Sequence, residues 1–246
     1  MALWLPKWHD DFPGPEPGPH WVGGHLNTST ECLLTVSNGV RITVDAGTEY
    51  ASAGVVTRHA VAGDFAADVA FSVSNPSPGS TLELAAVTVA PPALSVLAPK
   101  VRRDCALVFN VHGEPPYVSS EFDEDDGWRI GWNEREPVYR FDAFGFPTAV
   151  SSHNRYGDNS LKPTGATTGW LRLVREGGTH WSAWRRGTEQ HPWVLVEARD
   201  MAAPSLAQAV YLRLVAKHWV KGSEHLTIAP ANQIVFQSFA LWGRPT

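Results

Sequence analysis

A chain of 246 residues with 43% hydrophobic and 18% charged side chains can bury a sizeable core, which excludes wholesale disorder. Its formal charge of -5 comes from 25 acidic and 20 basic groups, with no Lys/Arg run longer than the pairs Arg102-Arg103 and Arg185-Arg186, so no basic patch for nucleic acid is expected. No apolar run is long enough to span a membrane, and Pro6 follows Met1 to Leu5 before any signal-like stretch can form, so the expectation is a soluble, cytoplasmic protein with no membrane partner.

Short β-branched and aromatic runs, punctuated by Gly, Pro, Asn and Asp, recur along the whole chain and predict an antiparallel sandwich or barrel. Asp10 to Pro19, rich in proline, is an irregular entry. Strands are predicted at Cys32 to Val36, Val40 to Asp45 and Ser52 to Ala60. Phe65 to Ser74 alternates cleanly, with Phe65, Ala67, Val69, Phe71 and Val73 on one face and Asp68 and Ser72 on the other. After a turn at Asn75 to Gly79, strands follow at Leu82 to Val89 and Ala93 to Ala98. Ala106 to Val111 is an apolar, central strand, followed by Tyr117 to Asp123, Trp128 to Asn133 and Val138 to Phe144. His153 to Asn159 reads as a polar loop. Trp170 to Glu176, Thr179 to Arg186, Trp193 to Arg199 and Ile234 to Trp242 complete the set. Ser205 to Trp219 fits a helical stripe or a strand from Val210, and the all-β context favours the strand. No repeat or linker divides the chain, so residues 1–246 are expected to form one domain. Cys32 and Cys105 adjoin apolar runs and read as buried thiols, with a disulfide between them left open.

Gly169-Trp170-Leu171-Arg172-Leu173-Val174-Arg175-Glu176-Gly177-Gly178 resembles a strand and turn of concanavalin A-like domains, in particular the regulation-of-enolase-protein-like family. His180 to Arg185, Trp193, and Ile234 to Trp242 resemble the strands that follow. Asp10-Asp11-Phe12, Trp21 and Gly63-Asp64-Phe65 resemble the opening. The resemblance covers about the first 75 and last 80 residues and implies a two-sheet antiparallel jelly-roll sandwich of the concanavalin A-like kind. In Trp170 to Arg175, Leu171, Leu173 and Arg175 share one face, the two leucines as core. Gly177-Gly178 suits a two-residue hairpin turn with positive φ.

The stretch from about Pro99 to Gly165 follows no part of that pattern, and function is expected there. Glu121-Phe122-Asp123-Glu124-Asp125-Asp126 resembles in part the E-x-D-x-x-E strand of laminarinase-type retaining glycosidases. That resemblance implies Glu121 as nucleophile, Asp123 as its modulator and Asp126 as acid/base, although Asp126 is one carbon shorter than glutamate. Such chemistry needs carboxyls about 5–5.5 Å apart. The same acids can be read as a calcium-binding turn, without EF-hand spacing, or as a plain solvated turn. Tyr117, Trp128, Arg129, Trp132, Asn133, His153, Arg155 and Tyr156 combine aromatic faces that stack on sugar rings with polar groups that bond hydroxyls. Arg129, Gly131 and Asn133 alternate with Trp128, Ile130 and Trp132, so one set faces the core and the other a surface. The histidines, His112, His153, His180, His191 and His218 among them, lack zinc spacing, so no metal site is expected from them. The leading expectation is a saccharide- or glycoconjugate-binding sandwich without catalysis and without a required cofactor. A retaining glycoside hydrolase built on Glu121 and a scaffold or assembly domain are the alternatives.

Overall fold

The computed structural model describes residues 4–25, 32–46, 48, 50–74, 80–87, 106–113, 128–141, 147–156, 162–163, 167–200, 208–219 and 231–244. These form two antiparallel sheets. Sheet A runs in the order β14 (Val194–Asp200), β13 (His180–Arg186), β12 (Thr168–Glu176), β6 (Phe65–Ser74), β16 (Asn232–Gly243), β4 (Val40–Val44) and β3 (Cys32–Val36). A further strand, β1 (Leu5–Asp10), pairs with the second half of β16, on the edge whose first half β4 occupies. Sheet B runs β10 (Pro147–Tyr156), β9 (Trp128–Phe141), β8 (Ala106–Gly113), β7 (Ser80–Val87), β15 (Tyr211–Trp219), β5 (Tyr50–Thr57) and β2 (Trp21–His25), with β11 (Lys162–Pro163) on β9. Among the described residues there is no helix, and hence none long and apolar enough to cross a membrane.

One hydrophobic cluster draws on both sheets: Val69, Phe71, Leu171, Leu173 and Phe236 from sheet A meet Leu82, Leu84, Leu212 and Leu214 from sheet B. Leu171 and Leu173 are fully buried, worth about 1.5–3 kcal/mol each. Their neighbour on that face, Arg175, is also at 0% exposure. Its guanidinium donates to the carbonyls of Val61, Gly63 and Gln208, and stacks over Phe65 at 4.9 Å and Trp181 at 5.5 Å. Burial lowers its pKa below the ordinary arginine value, and the field of Asp64 opposes that shift.

The irregular entry is held by Asp10, which accepts from the Phe12 N–H at 2.7 Å and the Trp21 indole at 3.0 Å. These bonds, and the packing of Phe12 at 1% exposure 5.5 Å from Trp21, hold Phe12 at φ 51, a conformation that costs a bulky residue about 1–2 kcal/mol. Trp8 and Phe239 each lie about 5 Å from Trp21 and complete the plug.

Several elements differ from expectation. Residues 128–133 and 138–141 form one 14-residue strand, β9. Pro137 lies beyond the described β8 ladder, which reaches Arg135, and among the described residues β10 alone pairs with it. The segment read as a loop from His153 is strand as far as Tyr156; its polar residues suit β10, which among the described residues is the edge strand of sheet B. Glu176 pairs with His180, so the Gly177-Gly178 connection is three residues long rather than two, with φ of 59 and 78 at the glycines. Residues 211–219 are strand, as favoured above. Cys32 is buried on β3, whereas Cys105, Ala93 to Ala98 and Tyr117 to Asp123 lie outside the described residues.

Candidate functional site

In β7, Leu82, Leu84 and Ala86 join the core, and in β15 so do Leu212, Leu214 and Ala216. Strand alternation therefore assigns Glu83, Ala85, Arg213 and Val215 to the outer face of sheet B. They are nonetheless buried: Glu83 is 1% exposed and Arg213 6%, with Ala85 and Val215 at 0%. The Arg213 Nη2 donates to Glu83 Oε2 at 3.2 Å across the β15–β7 ladder. A desolvated ion pair is costly to place unless its groups are well bonded, so its presence is weak evidence of a stabilising role.

Register ties this pair to the residues expected to bind ligand. Arg213 is opposite Ala85, Ala85 opposite Val108, Val108 opposite Asn133, and Asn133 opposite Tyr156. Glu83 lies opposite Asn110, which lies opposite Gly131, and His112 lies opposite Arg129. Arg129, Asn133 and Tyr156 thus share the rows of the outer face. Trp132 pairs with Phe109, which pairs with the core residue Leu84, and Trp128 has the same parity. His153 and Arg155 pair with Glu136 and Glu134, in the rows alternate to Tyr156. Glu121, Asp123, Asp126 and Tyr117 lie outside the described residues. Among the described residues no group of three His, Cys, Asp or Glu could hold a metal ion.

Glu83 and Arg213 were not singled out in the sequence. The available signal was one carboxylate and one guanidinium, each alternating with core leucines; that they meet is a matter of pairing between strands 130 residues apart.

The outer face of sheet A is closed differently. Asp68, 2% exposed, accepts both Nε and Nη2 of Arg172, and the Trp242 indole donates to it at 3.1 Å. Arg172 stacks over Trp193 at 4.2 Å, Arg186 over Trp193 at 4.4 Å and over Trp170 at 4.8 Å. This layer shields Ala66, Asp68 and Ala70 and pins the β13–β14 connection to the sheet. Burial lowers the pKa of Arg186, with Asp68 acting in the opposite sense.

Two packed antiparallel sheets in this order define a concanavalin A-like jelly-roll sandwich. No family model and no curated protein sequence matches the chain. Solved structures do. A β-agarase A in complex with oligoagarose aligns at TM-score 0.64 and 9% identity, over 100% of this chain and 94% of that one. The Ca2+/Man3GlcNAc-bound exoplasmic/lumenal domain of VIP36 aligns at 0.57 and 14%, over 96% and 88%. A mixed linkage glucan GH16 protein of Bacteroides ovatus, in complex with its product, aligns at 0.58 and 8%, over 95% and 99%. At these identities the likeness establishes the fold.

Proposed function

We propose that this chain binds a saccharide or glycoconjugate without catalysis, on the outer face of sheet B. The observation that carries the proposal is the buried Glu83–Arg213 pair, on the face of sheet B to which register also assigns Arg129, Asn133 and Tyr156, the last two in the row of Arg213. A carboxylate and a guanidinium on β7 and β15, with amide and phenol positions two to four strands away on β9 and β10, are the kinds of group that orient sugar hydroxyls. Support of a coarser kind comes from the fold, since the similar agarase and VIP36 structures were both solved with bound oligosaccharides.

The proposal includes kinship with the regulation-of-enolase-protein-like domains, whose quoted signatures fall on β12, β13 and β16 of sheet A. A calcium ion at Glu121 to Gly127 is compatible with it. The test is a glycan-array screen followed by calorimetric titration of the best ligand. Asn133→Ala and Tyr156→Ala should each weaken binding about tenfold, roughly the worth of one lost oriented contact. Absence of any saccharide binding sinks the proposal. Turnover of a β-glucan that disappears in Glu121→Gln would replace it with the hydrolase reading.

A further inference from the structure

A cavity of about 500 Å³ opens where β1, residues 61–65 and the end of β16 meet, lined by none of the residues of the sheet B site. Its walls carry Phe65, Leu241 and Trp242, and its charged lining residues are Lys7, Asp64 and Arg244. Asp64 is already engaged: its carboxylate lies 3.5 Å from Arg244 and accepts the Gly178 N–H at 3.4 Å. Arg244 also pairs with Glu176 and stacks 5.6 Å over Trp4.

Lys7 is different. It sits at the irregularity in the β1–β16 ladder, where Pro6 pairs with Trp242 and Trp8 with Leu241, leaving Lys7 as the extra residue. A bulge of this kind re-aims a side chain. The lysine stem lies across Gly243, whose missing Cβ would fall 2.5 Å from Lys7 Cε, and no described residue bonds its ammonium. Among the lining residues two cations, Lys7 and Arg244, stand against one carboxylate, Asp64. The local charge is therefore positive on a chain whose overall charge is -5.

We infer that this cavity is a second binding site, for a monosaccharide-sized carboxylate of the hexuronate kind. The carboxylate pairs with Lys7 and the exposed side of Arg244, and the ring packs against the apolar part of the lining. The volume suits a ligand of that size, which lies at the lower end of the usual range for small-molecule sites. The inference does not depend on the sheet B reading, because it uses none of the same residues.

The test is calorimetric titration of the full chain at low salt with glucuronate, glucose and acetate. Glucuronate should bind in the millimolar range or better, and glucose and acetate at least about tenfold more weakly, since each lacks one of the two recognition elements. Lys7→Gln should weaken glucuronate about five- to tenfold and Lys7→Arg should restore it. Gly243→Ala, which displaces the lysine stem without changing charge, should weaken it as Lys7→Gln does. Lys7 is exposed, so its replacement leaves the fold intact. Equal binding of glucose or acetate, no glucuronate binding, or an unaffected Lys7→Gln variant would overturn the inference.

Discussion

Asp68 and Arg172 stand opposite each other on β6 and β12, joined by two short bonds, Nε to Oδ1 at 2.6 Å and Nη2 to Oδ2 at 2.7 Å. The carboxylate side chain is 3% exposed and the guanidinium side chain 22%. Removing Asp68 leaves Arg172 and the Trp242 indole without their acceptor beneath a layer of tryptophans. Asp68→Ala should therefore cost about 2–3 kcal/mol, below the 3–5 of a fully buried pair because water reaches part of Arg172. Asp68→Asn, which keeps an acceptor, should cost less. Urea unfolding midpoints measure both, and equal losses would argue against a specific role for the charge.

Trp193 has a guanidinium near its ring from each of Arg172 and Arg186. Trp193→Ala should remove both contacts and release the β13–β14 connection, lowering stability by about 1–2 kcal/mol. Trp193→Phe should recover part of that loss. Thermal denaturation of the three proteins side by side would show it, with the alanine variant lowest.

Arg175 ties the carbonyls of Val61, Gly63 and Gln208 to a core strand. A lysine there offers one compact ammonium where a planar fork reaches three acceptors. Arg175→Lys is expected to destabilise by about 2–3 kcal/mol despite keeping the charge. A change within half a kcal/mol of zero in chemical denaturation would show that the fork geometry is dispensable.

Gly54 on β5 is packed so closely on β15 that a Cβ would fall 2.0 Å from the Leu214 carbonyl oxygen and 2.9 Å from the Val215 Cα. Both are backbone atoms and cannot swing away. Gly54→Ala should separate β5 from β15, next to the β2 edge of sheet B, and cost more than about 3 kcal/mol. Hydrogen exchange should show lost protection at Gly54 and Val215 first. Normal protection there would mean that the sheet accommodates the methyl group.

Glu83 is the residue through which the two faces of sheet B can be told apart. Glu83→Gln keeps shape and one acceptor but removes the charge paired diagonally with Arg213. Saccharide affinity should fall about tenfold or more if the pair orients ligand. A variant with wild-type affinity and altered stability alone would make the pair structural, and the ligand site would then have to lie elsewhere.

The strand from Phe65 to Ser74 was legible residue by residue, because alternation of large apolar groups with Asp68 and Ser72 is a local property that a two-residue period makes visible. Leu171 and Leu173 were legible as core for the same reason, and the glycines at 177 and 178 announced positive φ. The polar segment Ser151 to Tyr156 was not legible as strand, since an edge strand with one partner carries few of the β-branched and apolar residues that mark a central one.

What the sequence alone determined was the class of protein: an all-β chain whose periodic strands must press two sheets together, because hydrophobic burial acts on each strand face separately. What only the tertiary structure decided was which distant polar residues meet. Glu83 finds Arg213, Asp68 finds Arg172, and Lys7 is turned over Gly243, in each case through ladder register and bulges. The local hydrophobic pattern fixes which face each residue takes, but which distant strand becomes the neighbour is decided by the assembled sheet.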